Sequence, residues 1–246
     1  QGCPTVQKAM DLARIFSERK EYTETDPLKI RLEEGVHVIV GTYKTLTVTC
    51  SHITFVGKGK AQTTVRGGFE VINKRNVKFE ELTLTNPTGS GFSLEGSETN
   101  VDVLKCAVKE SGRNGMVVTS CATVTATQCE FMENTGSGVY CCGGANTKVR
   151  LKNCQMHHNG IDGLTADDRH AVVDLHGTKT DIHSNKGRGI YAYSRAKVNI
   201  HLPSQHNTSH DNVGEDRDQW GGGSIANINA DGTFTHVVVE EEDDDY

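Results

Sequence analysis

Five glycines set the frame of this chain: Gly91-Phe92-Ser93-Leu94, Gly115-Met116-Val117-Val118, Gly138-Val139-Tyr140-Cys141, Gly163-Leu164-Thr165-Ala166 and Gly189-Ile190-Tyr191-Ala192 recur at intervals of 24, 23, 25 and 26 residues. Self-similarity at such a period means that each unit is one supersecondary element stacked on the next. Four residues before the later glycines stand Ser111, Asn134, Asn159 and Asn185, and Asn212 opens a looser coil. Asn and Gly accept φ > 0, so the pair reads as a recurrent tight turn. A second strand repeats over Val101–Leu104, Val124–Thr127, Val149–Lys152, Val172–Leu175 and Val198–His201, alternating with period 2. A third short segment carries Val108, Phe131, Met156 and Ile182 inward.

Three short strands per coil of about 24 residues describe an all-β fold, a single right-handed parallel β-helix in which every strand pairs with its equivalent one coil away. The leucine-rich repeat has a similar period, but its LxxLxLxxN consensus is missing. Composition agrees: 35% hydrophobic residues undersupply one broad core, and 26 glycines with 4 prolines suit many tight turns. Residues 4–16 read as an amphipathic capping helix, with Val6, Ala9, Met10, Ala13 and Phe16 along one face and Pro4 early in its first turn. Residues 28–212 supply the coils, including the apolar run Val36–Val40, and residues 213–239 close the far end. The β-helix domain thus spans 1–239 and an acidic tail 240–246. Trp220 falls in a charged, glycine-rich loop, Asp211–Gly223, as either a C-terminal plug or an exposed binding aromatic.

The net charge of −6 comes wholly from the six carboxylates Glu240–Asp245; without them 26 acids face 26 bases. A balanced body lacks the basic stripe of a nucleic-acid binder. Apolar runs such as Val36–Val40 fall far short of a membrane span. Gln1-Gly2-Cys3-Pro4 is not the opening of a secretory signal, and what lies upstream stays open. Of the eight cysteines, Cys106, Cys129 and Cys154 fall at the repeat period, which predicts a stacked ladder of buried, reduced thiols; adjacent Cys141 and Cys142 point to opposite faces. Unpaired thiols indicate the cytoplasm or another reducing compartment. The sequon Asn207-Thr208-Ser209 keeps secretion as the alternative.

The stretch Leu32-Glu33-Glu34-Gly35-Val36-His37, then Gly41-Thr42-Tyr43-Lys44, Ile53-Thr54-Phe55-Val56-Gly57-Lys58-Gly59 and Thr63-Thr64-Val65 resembles the opening of pectin methylesterases and other pectin-lyase-like proteins. The later Asn-x-x-x-Gly coils resemble the right-handed β-helix repeat of periplasmic copper-associated proteins, mannuronan epimerases and certain F-box proteins. These likenesses imply the fold and leave the activity open, because the fold hosts many functions. The Gln-Asp-Thr-Leu and Asp-Phe-Ile-Phe-Gly runs of the methylesterases are absent, as is the epimerase Asp-Pro-His motif. Where they would be sought the chain reads Asn134-Thr135-Gly136-Ser137-Gly138-Val139-Tyr140.

Alternation after each aligned glycine turns Ser93 and Glu95, Val117 and Thr119, Tyr140 and Cys142, Thr165 and Asp167, and Tyr191 and Tyr193 outward. Stacked, they form a stripe of tyrosines with carboxylates nearby, fit to dock sugar rings on aromatic faces, or to stabilise the sheet as a half-buried stack. The binding residues expected are Tyr140, Asp167, Tyr191, Tyr193, Glu95 and Trp220, and the partner a polysaccharide or a protein segment. The turn Asp167-Asp168-Arg169-His170, with Asp162 before it, gathers the ingredients of pectate-type lyases. There Ca²⁺ held by aspartates acidifies a proton that an arginine removes. That resemblance implies Asp162, Asp167 and Asp168 as cation ligands and Arg169 with His170 as the catalytic pair; a charged surface turn is the plainer reading. Asp174 and His176 are expected beside Asn199 and His201, able to share a metal or to form an outward polar face. His157, His158, His183 and His210 read as exposed turn residues. The leading expectation is a recognition or scaffold module; the alternatives are a divalent-cation-dependent polysaccharide lyase or related carbohydrate-active enzyme, or a part of a larger assembly, with oligomeric state open.

Overall fold

The computed structural model describes residues 3–41, 43–203 and 209–235. After one helix, Val6–Arg19, the chain visits three parallel sheets in fixed order, starting with Leu28–Arg31 on the first, Gly35–Val38 on the second and Thr45–Thr47 on the third. Eight such turns make the parallel β-helix that the repeat predicts. Register is strict: Val101 pairs with Val124, Val124 with Val149, Val149 with Val173 and Val173 with Val198. The final described strand, Phe234–Thr235, turns back antiparallel to Ser224–Ile228. The acidic tail, Val237–Val239, and Asn207 and Thr208 of the sequon lie outside the described residues. No helix among the described residues is long and apolar enough to cross a membrane.

The core is one narrow cluster from Val6 to Ile200. Phe55, Phe69, Phe79 and Phe92 fill the early coils with ring centroids 4.8 to 5.1 Å apart between nearest neighbours. Each such side chain contributes on the order of 1.5–3 kcal/mol by leaving water. The helix caps this end by burying Val6, Met10 and Ala13. It begins two residues after Pro4, because Thr5 is its N-cap and accepts the Lys8 N–H on Oγ1 at 3.1 Å, and it runs on to Arg19. Phe16 is 46% exposed rather than on the buried face, since it lies about 80° round the helix from the line of Val6, Met10 and Ala13. The run Val36–Val40 also divides by parity: Ile39 is buried, whereas Val36 and Val38, on the edge strand of the second sheet, and Val40 just beyond it face out.

The Asn-x-x-x-Gly pattern works differently from the expected turn. The left-handed residue is the one before each Asn or Ser: Glu110, Glu133, His158, Ser184 and Asp211, with φ of 53° to 56°. Asn134, Asn159 and Asn185 are buried instead, and their side-chain amides, with that of the half-buried Asn212, form a ladder along the axis. Nδ2 of Asn134 donates to Oδ1 of Asn159 at 3.0 Å, Asn159 to Asn185 at 2.9 Å, and Asn185 to Asn212 at 2.8 Å. The following glycines are needed for close approach, since a Cβ on Gly115 would meet the carbonyl of Gly138 at 2.5 Å and Asn134 Nδ2 at 2.8 Å.

Cys106, Cys129 and Cys154 are buried, unpaired and piled in a column, each just before a strand of the second sheet whose first residues are register partners. Their thiols donate to main-chain carbonyls such as Leu104, Thr127 and Ala126.

Candidate functional site

Two outward columns run along the third sheet. Register stacks Ser93, Val117, Tyr140, Thr165, Tyr191 and Asp218 in one. The other carries Glu95 under Thr119, Cys142 under Asp167, and Tyr193 under Trp220. Trp220 is therefore no plug and its segment no loop: Arg217–Trp220 is the last strand of this sheet, and outward parity leaves the indole 64% exposed.

Aromatic rings cluster at that end. Tyr193 stacks on Trp220 with centroids 5.3 Å apart and planes 13° apart, and Tyr191 lies 5.8 Å from Tyr193. The Arg188 guanidinium sits 3.9 Å over the Tyr191 ring and pairs with Asp218. Sequence reasoning missed both residues. Arg188 stands immediately before the aligned Gly189, and aligning the segment from Asp211 to Gly223 as one more coil would have put Asp218 above Tyr191.

Beside the rings lies an open cavity of about 550 Å³ lined by Tyr140, Cys142, Asp167, Asp168, Arg169 and Arg195. A second, of about 320 Å³, is lined by Asn114, Asp162, Tyr191 and Tyr193, and shares Tyr140 and Asp167 with the first. Tyr140 Oη donates to Asp167 Oδ2 at 3.2 Å, joining the two walls. Burial, then the neighbouring Cys142 and Asp167, pushes the Tyr140 phenol well up, so it stays a donor. Burial also raises the Cys142 thiol. The groove thus offers the Tyr191 and Tyr193 rings on one side of the Tyr140–Asp167 pair, and on the other the Asp167 and Asp168 carboxylates with the guanidinium groups of Arg169 and Arg195.

The expected site residues divide. Tyr140, Asp167, Tyr191, Tyr193 and Trp220 come together, whereas Glu95 lies three coils below Asp167, roughly 14 Å along the axis. Asp162 is buried, with Oδ1 accepting the Arg188 N–H and Oδ2 the Thr165 hydroxyl, each at 2.8 Å. Its oxygens are committed to fixing a turn. Asp168 sits at φ 83°, and its carbonyl accepts the Ala171 N–H. Arg169 Nε donates to His170 Nε2 at 2.9 Å on the exposed rim. Among the described residues, Asp162, Asp167 and Asp168 do not form a group of metal-ligating spacing; Asp174, His176 and His201 do. The latter belong to the first sheet, where His201 Nε2 lies 3.0 Å from Asp174 Oδ1. His158 is an exposed turn residue at φ 56°, as expected, but His157, His183 and His210 form a stacked ladder on the second sheet, with centroids 5.0 and 5.3 Å apart. They are strand ends in register, half-buried by one another.

A family model described as "Right handed beta helix region" matches residues 34–212. Among solved structures, the Agl-KA catalytic domain superposes with a TM-score of 0.63 at 16% identity over 93% of this chain and 45% of that one. The A-module of mannuronan C-5 epimerase AlgE4 from Azotobacter vinelandii gives 0.50 at 13% identity over 93% and 79%. ORF18 of Geobacillus virus E2 gives 0.50 at 11% over 82% and 53%. The chain therefore spans about half the length of two of these three, and at such identities the likeness is one of fold. A search of curated protein sequences found no match.

Proposed function

Because the chain belongs to the right-handed β-helix family, a fold that presents side chains from successive coils as continuous outward columns, we propose that it is a recognition module for a polysaccharide. The ligand lies along the third sheet, with sugar rings on Tyr191, Tyr193 and Trp220 and hydroxyls on Asp167 and Arg195. The observation that carries this reading is the stack of Tyr193 on Trp220 at 5.3 Å, with the indole exposed and Tyr193 itself lining the smaller cavity beside Tyr140 and Asp167. Exposed stacked aromatics bury little of their own surface without a ligand, while sugar faces add apolar contact to each ring. One neighbour of this fold is named for its action on mannuronan. The cation-dependent lyase reading has less support, since Asp162 already spends both oxygens inside the protein.

Affinity electrophoresis through gels containing a panel of neutral and uronic-acid polysaccharides tests the proposal. Retardation by at least one polymer is expected, with affinity weakened about tenfold, or about 1.4 kcal/mol, by Trp220→Ala and by Tyr193→Ala. Absence of retardation, or retardation untouched by both variants, overturns it. Release of shortened products from a bound polymer moves the reading from recognition to an enzyme, and its loss on chelation with restoration by Ca²⁺ brings back the lyase.

A further inference from the structure

On the outward face of the first sheet the imidazoles of His176 and His201 stack one coil apart, with centroids 4.0 Å and planes 15° apart. Asp174, two residues before His176, places Oδ1 3.0 Å from His201 Nε2. Asn199, its register partner, donates to that same oxygen at 3.0 Å. His176 Nε2 is covered from solvent and has no hydrogen-bond partner. One ligand atom from each of Asp174, His176 and His201 lies within 4.8 Å of the other two. None of these residues takes part in the groove described above.

We propose that Asp174, His176 and His201 form a binding site for a transition-metal dication of the Zn²⁺ class. The donor set selects the ion: two imidazoles and one carboxylate suit Zn²⁺ and its neighbours, whereas Ca²⁺ and Mg²⁺ demand six or more oxygens. Bonds of about 2.0–2.1 Å put the ligands of a tetrahedral ion roughly 3.4 Å apart, and because an imidazole binds in its own plane, the two stacked rings turn toward each other to share the ion. Asn199 orients the carboxylate, as outer-shell donors do around metals. Three protein ligands leave one position facing solvent. The ladder holds both histidines on paired strands, so little order has to be created on binding. Arg150 and Lys152 stand one coil below, opposite Asp174 and His176 in register. Their charges oppose a cation and weaken its binding.

Titration of the full chain with ZnCl₂ by calorimetry, and with Co²⁺ by its visible absorption, tests the site. One equivalent of Zn²⁺ is expected to bind, weakened about tenfold or more in each of His176→Ala, His201→Ala and Asp174→Asn. His183→Ala, which breaks the other histidine ladder, should leave that equivalent in place. Lys152→Gln keeps all three ligands and should tighten binding severalfold. Circular dichroism of each variant shows whether a loss belongs to the site or to the fold. Absence of Zn²⁺ binding, binding that survives His176→Ala and His201→Ala in folded protein, loss in folded His183→Ala, or indifference to Lys152→Gln each overturns the proposal.

Discussion

Gly138 lies directly against the side chain of Asn159 in the next coil: a Cβ at 138 would come within 2.9 Å of Asn159 Nδ2 and 2.7 Å of the Gly163 carbonyl. The glycine is there to let two coils approach, not to turn the chain. Gly138→Ala should therefore destabilise by about 1–3 kcal/mol, the cost of overpacking a filled interior. Urea unfolding followed by circular dichroism measures it.

The amide ladder makes a second expectation. Asn159 donates to Phe131 O at 3.1 Å and Asn185 Oδ1 at 2.9 Å, and accepts from the main-chain N–H and Nδ2 of Asn134 at 3.2 and 3.0 Å. Asn159→Ala strands buried donors and acceptors on two coils, each worth about 1–3 kcal/mol. A fall in urea midpoint larger than that of Gly138→Ala is expected. Equal or smaller loss would mean that water enters and replaces the amide.

The period and inward positions were legible because they need only recurrence: Val108, Phe131, Met156 and Ile182 are all fully buried, as alternation requires. The thiol column was legible for the same reason. The pairing of asparagine with glycine was visible, yet its cause was not. Residue preference for φ > 0 competes with the need to satisfy buried main-chain groups, and the second won, while Glu133 and His158 took the left-handed position at φ 54° and 56°. In the groove, the tyrosines followed from parity. Asp218 was hidden because a charged strand, Arg217–Trp220, has no apolar alternation to announce it, and Arg188 because it stands before Gly189, outside the alternating strand Ile190–Tyr193.

Thiol chemistry should separate the eight cysteines by place. Burial pushes the Cys141 thiol up to about 12 and raises Cys106 as well, whereas Cys3 is exposed. Since the thiolate is the reacting species, native protein should label first at Cys3 and leave Cys106 and Cys141 untouched until denaturant is added. Cys142 lines the groove, so a bound polysaccharide should slow its labelling without affecting Cys3. Mass spectrometry of alkylated peptides over time reads both. Early modification of Cys106 would contradict the packed column.

The histidine ladder should titrate from its end. A hydrogen bond to Asp211 comes first among the causes that hold the His210 imidazole above its ordinary range, helped by Asp181 at 3.0 Å. Burial comes first for His183 and, with the charges of His157 and His210, holds it below. His210 thus adds stability that is complete below the unfolded value of about 6.5 and is lost as pH rises through its higher folded value. His183 acts oppositely: it costs nothing above about 6.5, and stability falls as acid protonates the unfolded chain before the folded one. The two partly cancel in a melting curve, so resonances of individual imidazoles are the sharper measurement. His210 should protonate before His183 on acidification. In His210→Ala, which removes a neighbouring positive charge, the His183 midpoint should rise; an unmoved midpoint would show that the stacked rings titrate independently.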